Sequence, residues 1–293
     1  MTDQDQDPAV RAFLGCRNLL FSIVYDMLGS VTDTEDVLQE TWLAWMRRAG
    51  TGPAVENPRA YLVRSAVHQA LARRSAIERR KETYLGPWLP EPLVASPAQA
   101  HETAESVSYA MLVVLETLTP LERAVFVLGE VFGYPHPEIA EILGKQPAAV
   151  RQVAHRARKH VQARRPRFTA DPGVREQVTE RFVAALLGGD LAAFLRLLAP
   201  EVTVWTDGGG AARMSGLRGV QSRERVARVL AVGSFRPRPE VDSVYRSVNG
   251  DLSVVLLSAG SPFAVLVLDI APEDGAVTGV YAVTNPGKLA HVR

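Results

Sequence analysis

The spacing of apolar residues changes character once along this chain, at Asp171-Pro172-Gly173. Before it, apolar side chains recur every three or four residues, the period of a helix buried on one face. After it, apolar β-branched runs at 241–248, 252–258, 263–270 and 277–283 have strand lengths, and their short gaps suit antiparallel hairpins. A second interruption, residues 86–97, carries Pro87, Pro90, Pro92 and Pro97, too many for a helix, and reads as a linker. The chain is therefore expected to be multi-domain: an all-helical half in two parts, then an α+β half, with no internal repeat.

Within the first half, residues 9–50 read as two helices. Val10, Phe13, Leu14, Leu19, Leu20, Ile23, Val24 and Leu28 form one stripe ended by Gly29-Ser30, and Thr32 or Asp33 is expected to cap the next helix. That second helix carries acids in its first turn and bases in its last, as the helix dipole favours. Asn57-Pro58 opens a third helix running to about residue 82, with Pro58 at its first position. Four more helices are expected between 102 and 165. In the second half, helices at 174–187 and 191–198, a strand at 202–205 and a helix at 222–230 precede the four strands.

Charge is local rather than global. Net charge is +1, but eight Lys or Arg and no acid lie between Lys145 and Arg167, and five bases with one acid, Glu78, lie between Arg73 and Lys81. The residues after Arg167 are balanced, 13 bases against 13 acids. Either basic run alone could be a solvated helix face. The lone Cys16 excludes an internal disulfide framework and points to a reducing compartment. No apolar run reaches membrane-spanning length, and the acidic start lacks a signal peptide's basic and apolar regions, so a cytoplasmic protein is expected.

The strongest local pattern is PEIAEILGKQPAAVRQVAHRARK. A helix-turn-helix needs a small residue where its helices touch (Ala140) and a residue tolerant of positive φ at the turn (Gly144). Ile139, Leu143, Val150 and Val153 supply its core, and Pro147 suits the first turn of the second helix. Ala148, Arg151, Gln152, His155, Arg156 and Lys159 then face outward. Arg and Gln are shaped for bidentate contacts to guanine and adenine edges, while Arg158, Lys159 and Arg164 can reach phosphates. A basic helical hairpin is the plain alternative. A metal site on His155 and His160 has poor helical spacing and no supporting ligand, so no metal or cofactor is called for.

The segments DTEDVLQETWLAWMR, ENPRAYLVRSAV and RRSAIERRK resemble region 2 of the extracytoplasmic-function sigma factors of the sigma-70 family. LTPLERAVFVLGEVFGYPHPEIA and the helix-turn-helix resemble region 4, in the right order over residues 8–165. The resemblance implies promoter-specific transcription initiation, with core RNA polymerase and promoter DNA as partners and no enzymatic activity. It implies that Asp33, Glu35, Asp36, Gln39, Glu40 and Trp42 dock on polymerase. It also implies that Tyr61, Arg64, His68, Arg73, Arg74, Arg79 and Arg80 open and read the −10 element, and that the helix-turn-helix reads the −35 element. Members commonly place an acid where Ala72 stands, a Leu where Arg74 stands, and a Ser or Thr cap where Gln146 stands.

GPWLPEPL, TDGGG and NPGKL further resemble the SigJ-like subgroup, whose C-terminal extension is SnoaL-like, a cone of the NTF2-like α+β fold. Ala211 departs from the Lys that usually follows the glycines. The implied domains are 8–85 (region 2), 86–105 (linker), 106–166 (region 4) and 172–293 (extension). The extension is implied to touch the linker and regulate the sigma domains, making a separate anti-sigma factor less necessary. Trp88, Leu89 and Pro90 are expected to dock on Asp207, Gly208, Gly209 and Gly210 and on Asn285, Pro286, Lys288 and Leu289. Three other readings stay open: an enzyme in the extension, a small-ligand sensor lined by Trp205, Tyr245, Phe263 and Tyr281, and a DNA-binding regulator independent of polymerase.

Overall fold

The computed structural model describes residues 7–51, 53–84, 86–94, 107–163, 170–210, 219–226 and 240–292. They fall into two compact units. The first holds the described residues up to 82, Val107 and 111–163; the second holds those from 83 to 94, 108–110 and 170–292. The linker's described residues therefore cluster with the C-terminal half. Among the described residues, no helix is long and apolar enough to cross a membrane. Pro97, Arg164, Ala211 and the end of the helix expected at 222–230 lie outside the described residues.

The first unit is entirely helical. Residues 9–50 form three helices, not two: α1 (Pro8–Leu14), α2 (Arg17–Leu28) and α3 (Val31–Thr51). The extra break is at Gly15-Cys16, whose N–H groups bond back to the Arg11 and Phe13 carbonyls. The apolar stripe runs on across it, so periodicity alone hides it. Gly29 ends α2 at φ 68°, and Ser30, rather than Thr32 or Asp33, caps α3: its Oγ accepts from the Asp33 N–H at 3.1 Å. Helix α4 (Pro58–Glu82) follows, with Asn57 Oδ1 accepting the Ala60 N–H. Leu20, Ile23, Val24, Val37, Leu38, Leu62, Val63 and Val67 are buried where α2, α3 and α4 pack.

Helix α5 (Tyr109–Leu115) and α6 (Pro120–Phe126) follow, α6 opened by a Thr119–Glu122 capping box and passing into a π-helical turn at Val127–Val131. Helices α7 (His136–Leu143) and α8 (Pro147–Gln162) complete the unit. Both α6 and α7 pack on α4, so the two helical parts of the chain share one unit.

In the second unit, α9 (Pro172–Gly188) and α10 (Leu191–Leu197) lead into β1 (Leu198–Asp207). A short β2 (Val220–Gln221) and the strands β3 (Val241–Val248), β4 (Asp251–Ser258), β5 (Ser261–Ile270) and β6 (Val277–Val283) form one six-stranded sheet, ordered β2-β1-β6-β5-β4-β3. The hairpins expected from β3 to β6 are antiparallel, whereas β1 lies parallel to β6. One sheet face packs on α9 and α10 through Phe182, Phe194, Val202, Val254, Leu266 and Val280. A last short helix, α11 (Pro286–Leu289), follows β6. Phe194 is fully buried with its ring 4.8 Å from that of Phe182. Phe194→Ala should destabilise the second unit by about 3–5 kcal/mol, read as a lowered denaturation midpoint for that unit.

Candidate nucleic-acid interface and linker-docking site

Helices α7 and α8 meet through buried Ile139, Ala140, Leu143, Val150 and Val153. Gly144 ends α7 at φ 61°, a left-handed conformation that costs a side-chain-bearing residue about 1–2 kcal/mol. With that core turned inward, Ala148, Arg151, Gln152, His155, Arg156 and Lys159 are all exposed on one face of α8. Arg158 is turned aside, ion-paired with Glu130 at 2.8 Å. Arg156 lies 3.6 Å from Glu122, a loose exposed contact that leaves it available.

The acids of α3 and bases of α4 face one another. Arg73 reaches Asp33 (3.3 Å), Asp36 (3.2 Å) and Glu40 (2.8 Å), and Arg80 reaches Asp33 at 2.7 Å. Glu35 pairs with Arg17 at 3.0 Å, and Gln39 is exposed. The pairs of Glu35, Asp36 and Glu40 are solvated and individually weak, about 1 kcal/mol or less, whereas the Asp33 side chain is only 9% exposed. Trp42 is half-buried with its ring 4.9 Å from Phe13, and Tyr61 lies 5.6 Å from Trp45. Arg64 and Arg79 are exposed. His68 donates Nε2–H to the Ile142 carbonyl at 2.8 Å, tying α4 to α7.

Arg74 stands apart, because it is buried. It forks onto Glu116, Nη1 to Oε1 at 3.2 Å and Nη2 to Oε2 at 3.0 Å, and donates to the Leu28 carbonyl. Glu116 also receives Lys81 and Arg123, and Arg123 Nε donates to the Asp26 carbonyl at 2.7 Å. Burial alone would raise the Glu116 carboxyl, but Arg123, Arg74 and Lys81 outweigh it and hold the group well below the usual range. For the buried Asp26 carboxyl the balance reverses: desolvation pushes it well above its usual range against the opposing pull of Arg123 and the Val107 N–H.

In the second unit the linker lies on the ends of β1 and α11. Asp207, fully buried, accepts the Leu89 N–H (2.8 Å), the Lys288 ammonium (2.8 Å) and the Tyr84 hydroxyl. Lys288 also donates to the Leu89 carbonyl and sits 3.7 Å from the Trp88 ring centroid, a cation–π contact. Asn285 donates to the Tyr84 oxygen at 2.8 Å. Gly209 has φ 61° and bonds Asp207 Oδ1, and a Cβ there would lie 2.6 Å from Asn285 Nδ2, so only glycine fits. Gly208 and Leu289 are buried, while Gly210 (φ 76°) and Pro286 are exposed at the turns. Tyr109 donates to the Pro90 carbonyl and His291 to that of Pro92, both at 2.8 Å. Leu93 exchanges hydrogen bonds with Asn249, and Val94 bridges Val248.

Residues 13–80 match the family model for sigma-70 region 2 and residues 109–161 that for sigma-70 region 4. The chain is 35% identical to the ECF RNA polymerase sigma factor SigJ of Mycobacterium tuberculosis, over 96% of this chain and 93% of that protein. The chain belongs to the extracytoplasmic-function sigma factor family. It is also 29% identical to a probable ECF sigma factor, SigI, of the same organism, covering 98% of this chain and 97% of that one. The crystal structure of M. tuberculosis SigJ superposes with a TM-score of 0.73 at 32% identity, covering 96% of this chain and 98% of that one.

In this sigma factor the helices of regions 2 and 4 share the first unit, and the linker packs with the α+β extension. The structure brings Trp88 and Leu89 together with Asp207 and Lys288, while the Pro90 carbonyl goes to Tyr109. It gathers the region 4 residues on one face and places Arg74 inside the protein. Sequence reasoning missed Tyr84, Tyr109, Asn249, His291, Glu116 and Arg123. The signal for the last two was present: Glu116 and Arg123 stand seven apart in the largely apolar run MLVVLETLTPLERAVFVL, whose only other charge is Glu122. The four aromatics of the sensor reading do not share a face. Tyr245 and Phe263 pack with the core under α9 and α10, whereas Trp205 stacks on Tyr281 at 4.9 Å, on strand positions facing the other way.

Removing the Asp207 carboxylate strands a buried ammonium. Asp207→Leu should cost about 3–5 kcal/mol, and adding Lys288→Met should restore much of it, read by a double-mutant denaturation cycle. Ionisation in the first unit has two opposing signs. Glu116, depressed, contributes stability that is lost as pH falls through its lowered value. Asp26, raised, contributes stability present in acid and lost as pH rises through its raised value. Asp26→Asn should therefore be more stable than the parent at neutral pH, with the gain fading toward the ordinary aspartate range. Denaturation across pH checks this, and a gain persisting in acid would assign it to shape instead of ionisation.

Proposed function

We propose that this sigma factor binds core RNA polymerase, directs promoter-specific initiation in the cytoplasm, and is regulated by its own C-terminal extension. The observation that carries the reading is the single exposed face of α8 behind a closed helix-turn-helix core, in a chain matching both sigma regions. On this reading Arg151, Gln152, His155 and Arg156 reach base edges of the −35 element, with Ala148 against a thymine methyl and Lys159 on phosphate. Asp33, Glu35, Asp36, Gln39, Glu40 and Trp42 form the polymerase-docking surface. Tyr61, Arg64, His68, Arg73, Arg74, Arg79 and Arg80 act at the −10 element, where basic and aromatic groups hold a single strand.

The extension acts through the linker and not by catalysis. The buried Asp207 and Lys288 and the half-buried Asn285 bond Tyr84 and Leu89, which argues for a clamp on residues 84–90. A clamp of this kind restricts how far the connection between regions 2 and 4 can extend, and it lowers the competent fraction of the sigma factor accordingly. An attached clamp also leaves less need for a separate anti-sigma factor.

Run-off transcription with core polymerase and a promoter library tests both parts. The intact chain should initiate at specific promoters, and Arg151→Ala should cost about 1–3 kcal/mol of promoter binding, roughly a ten-fold loss confined to promoters with the preferred −35 base. Lys288→Met should change initiation without changing that base preference. Loss of polymerase binding in the intact chain would leave a DNA-binding regulator instead.

A further inference from the structure

We propose that Glu116 is an internal mimic of a nucleic-acid phosphate that latches region 4 onto region 2 and masks part of the −10-reading helix. The inference rests on the sigma-factor reading. A carboxylate and a phosphate present the same paired acceptors to a guanidinium, and a forked Arg bond is the geometry by which either is held. Glu116 takes Arg74 in that fork and Lys81 beside it, both from α4. Its third cation, Arg123, comes from α6 and bonds the Asp26 carbonyl of α2. One buried carboxylate therefore joins α4 and α2 of region 2 to α5 and α6 of region 4. The neighbouring α4 bases are held in the same manner, Arg73 by Asp33, Asp36 and Glu40, and Arg80 by Asp33.

Geometry makes the latch consequential. Each helical turn of duplex lying between the −35 and −10 elements separates them by about 34–36 Å. A compact unit of about 140 residues has a radius of gyration of about 15 Å. Regions 2 and 4 packed in one unit cannot reach both elements, so this packing must open before the promoter is engaged. Opening exposes Glu116 to water and releases Arg74 and Lys81 toward DNA. Promoter strand and Glu116 then compete for the same cations, which couples DNA binding to separation of the two regions.

The test uses the full-length chain with Cys16→Ser and dyes at two exposed positions, Leu43 of α3 and Ala149 of α8. Energy transfer reads their separation, and anisotropy of a labelled single-stranded oligonucleotide reads binding. Glu116→Gln should lengthen the dye separation, raise oligonucleotide affinity about ten-fold at low salt, and steepen the salt dependence by one to two counterions. In the parent chain, saturating oligonucleotide should lengthen the separation by itself, an arm that needs no substitution at the latch. An unchanged separation in a folded Glu116→Gln chain overturns the latch even if promoter-specific initiation is intact. A lengthened separation with unchanged affinity and salt slope overturns the phosphate mimicry. If Glu116→Gln does not fold, the parent chain decides, and a separation indifferent to bound oligonucleotide overturns the proposal. Absence of run-off initiation, measured separately, would count against the sigma reading and not against the latch.

Discussion

A carboxylate withdrawn from water loses several kcal/mol of hydration unless cations and donors replace it, and each unit of this protein is organised around one such group. Glu116 in the first unit and Asp207 in the second are buried, and both are surrounded by groups from segments far apart in sequence. The geometry has to be good, because a half-satisfied buried charge is worse than an apolar core. The exposed pairs that Arg73 makes with Asp36 and Glu40 are under no such demand. They can exchange partners with water at little cost, while the two buried carboxylates either keep their whole set of partners or lose a large part of the packing built on them.

The Asp207 site also solves a problem created by the linker's own sequence. Pro87, Pro90 and Pro92 have no N–H, so this stretch can neither form a helix nor pair along a full strand. Its remaining backbone groups still need partners wherever they are buried. The Leu89 N–H goes to Asp207 and that of Leu93 to Asn249. The carbonyls of Leu89, Pro90, Pro92 and Leu93 go to Lys288, Tyr109, His291 and Asn249. A segment that cannot supply its own secondary structure is completed one group at a time, mostly by the extension and once by Tyr109 of α5. That explains why it clusters with residues more than a hundred positions away.

Local rules made much of this architecture legible. Helix stripes, Gly29 and Gly144 as left-handed stops, Pro58 and Pro147 at first turns, and the strand limits at 241–248 and 277–283 follow from the immediate sequence. The face of α8 was legible because helical geometry alone decides it. What local rules could not reveal was long-range. The break at Gly15-Cys16 leaves the apolar stripe unchanged, and the parallel pairing of β1 with β6 depends on chain ends brought together by the whole sheet. Tyr84, Tyr109, Asn249 and His291 carry no motif, because each contributes one or two hydrogen bonds whose partners are defined only by the fold. Arg74 was misleading for a related reason: a basic residue in a basic run reads as solvent-facing, and its burial depends on Glu116, 42 positions later.

That pairing gives physical meaning to a departure from the family pattern. Members commonly carry a Leu where Arg74 stands. An arginine there can be buried only if a carboxylate accompanies it, and Glu116 is that carboxylate. Glu116 in turn draws in Lys81 and Arg123, leaving three cations around one buried acid, with Glu78 at the rim and Asp26 nearby. An apolar contact would have joined the two regions without regard to salt or polyanions. A charged one keeps them together yet leaves the contact open to screening by salt and to competition from polyanions.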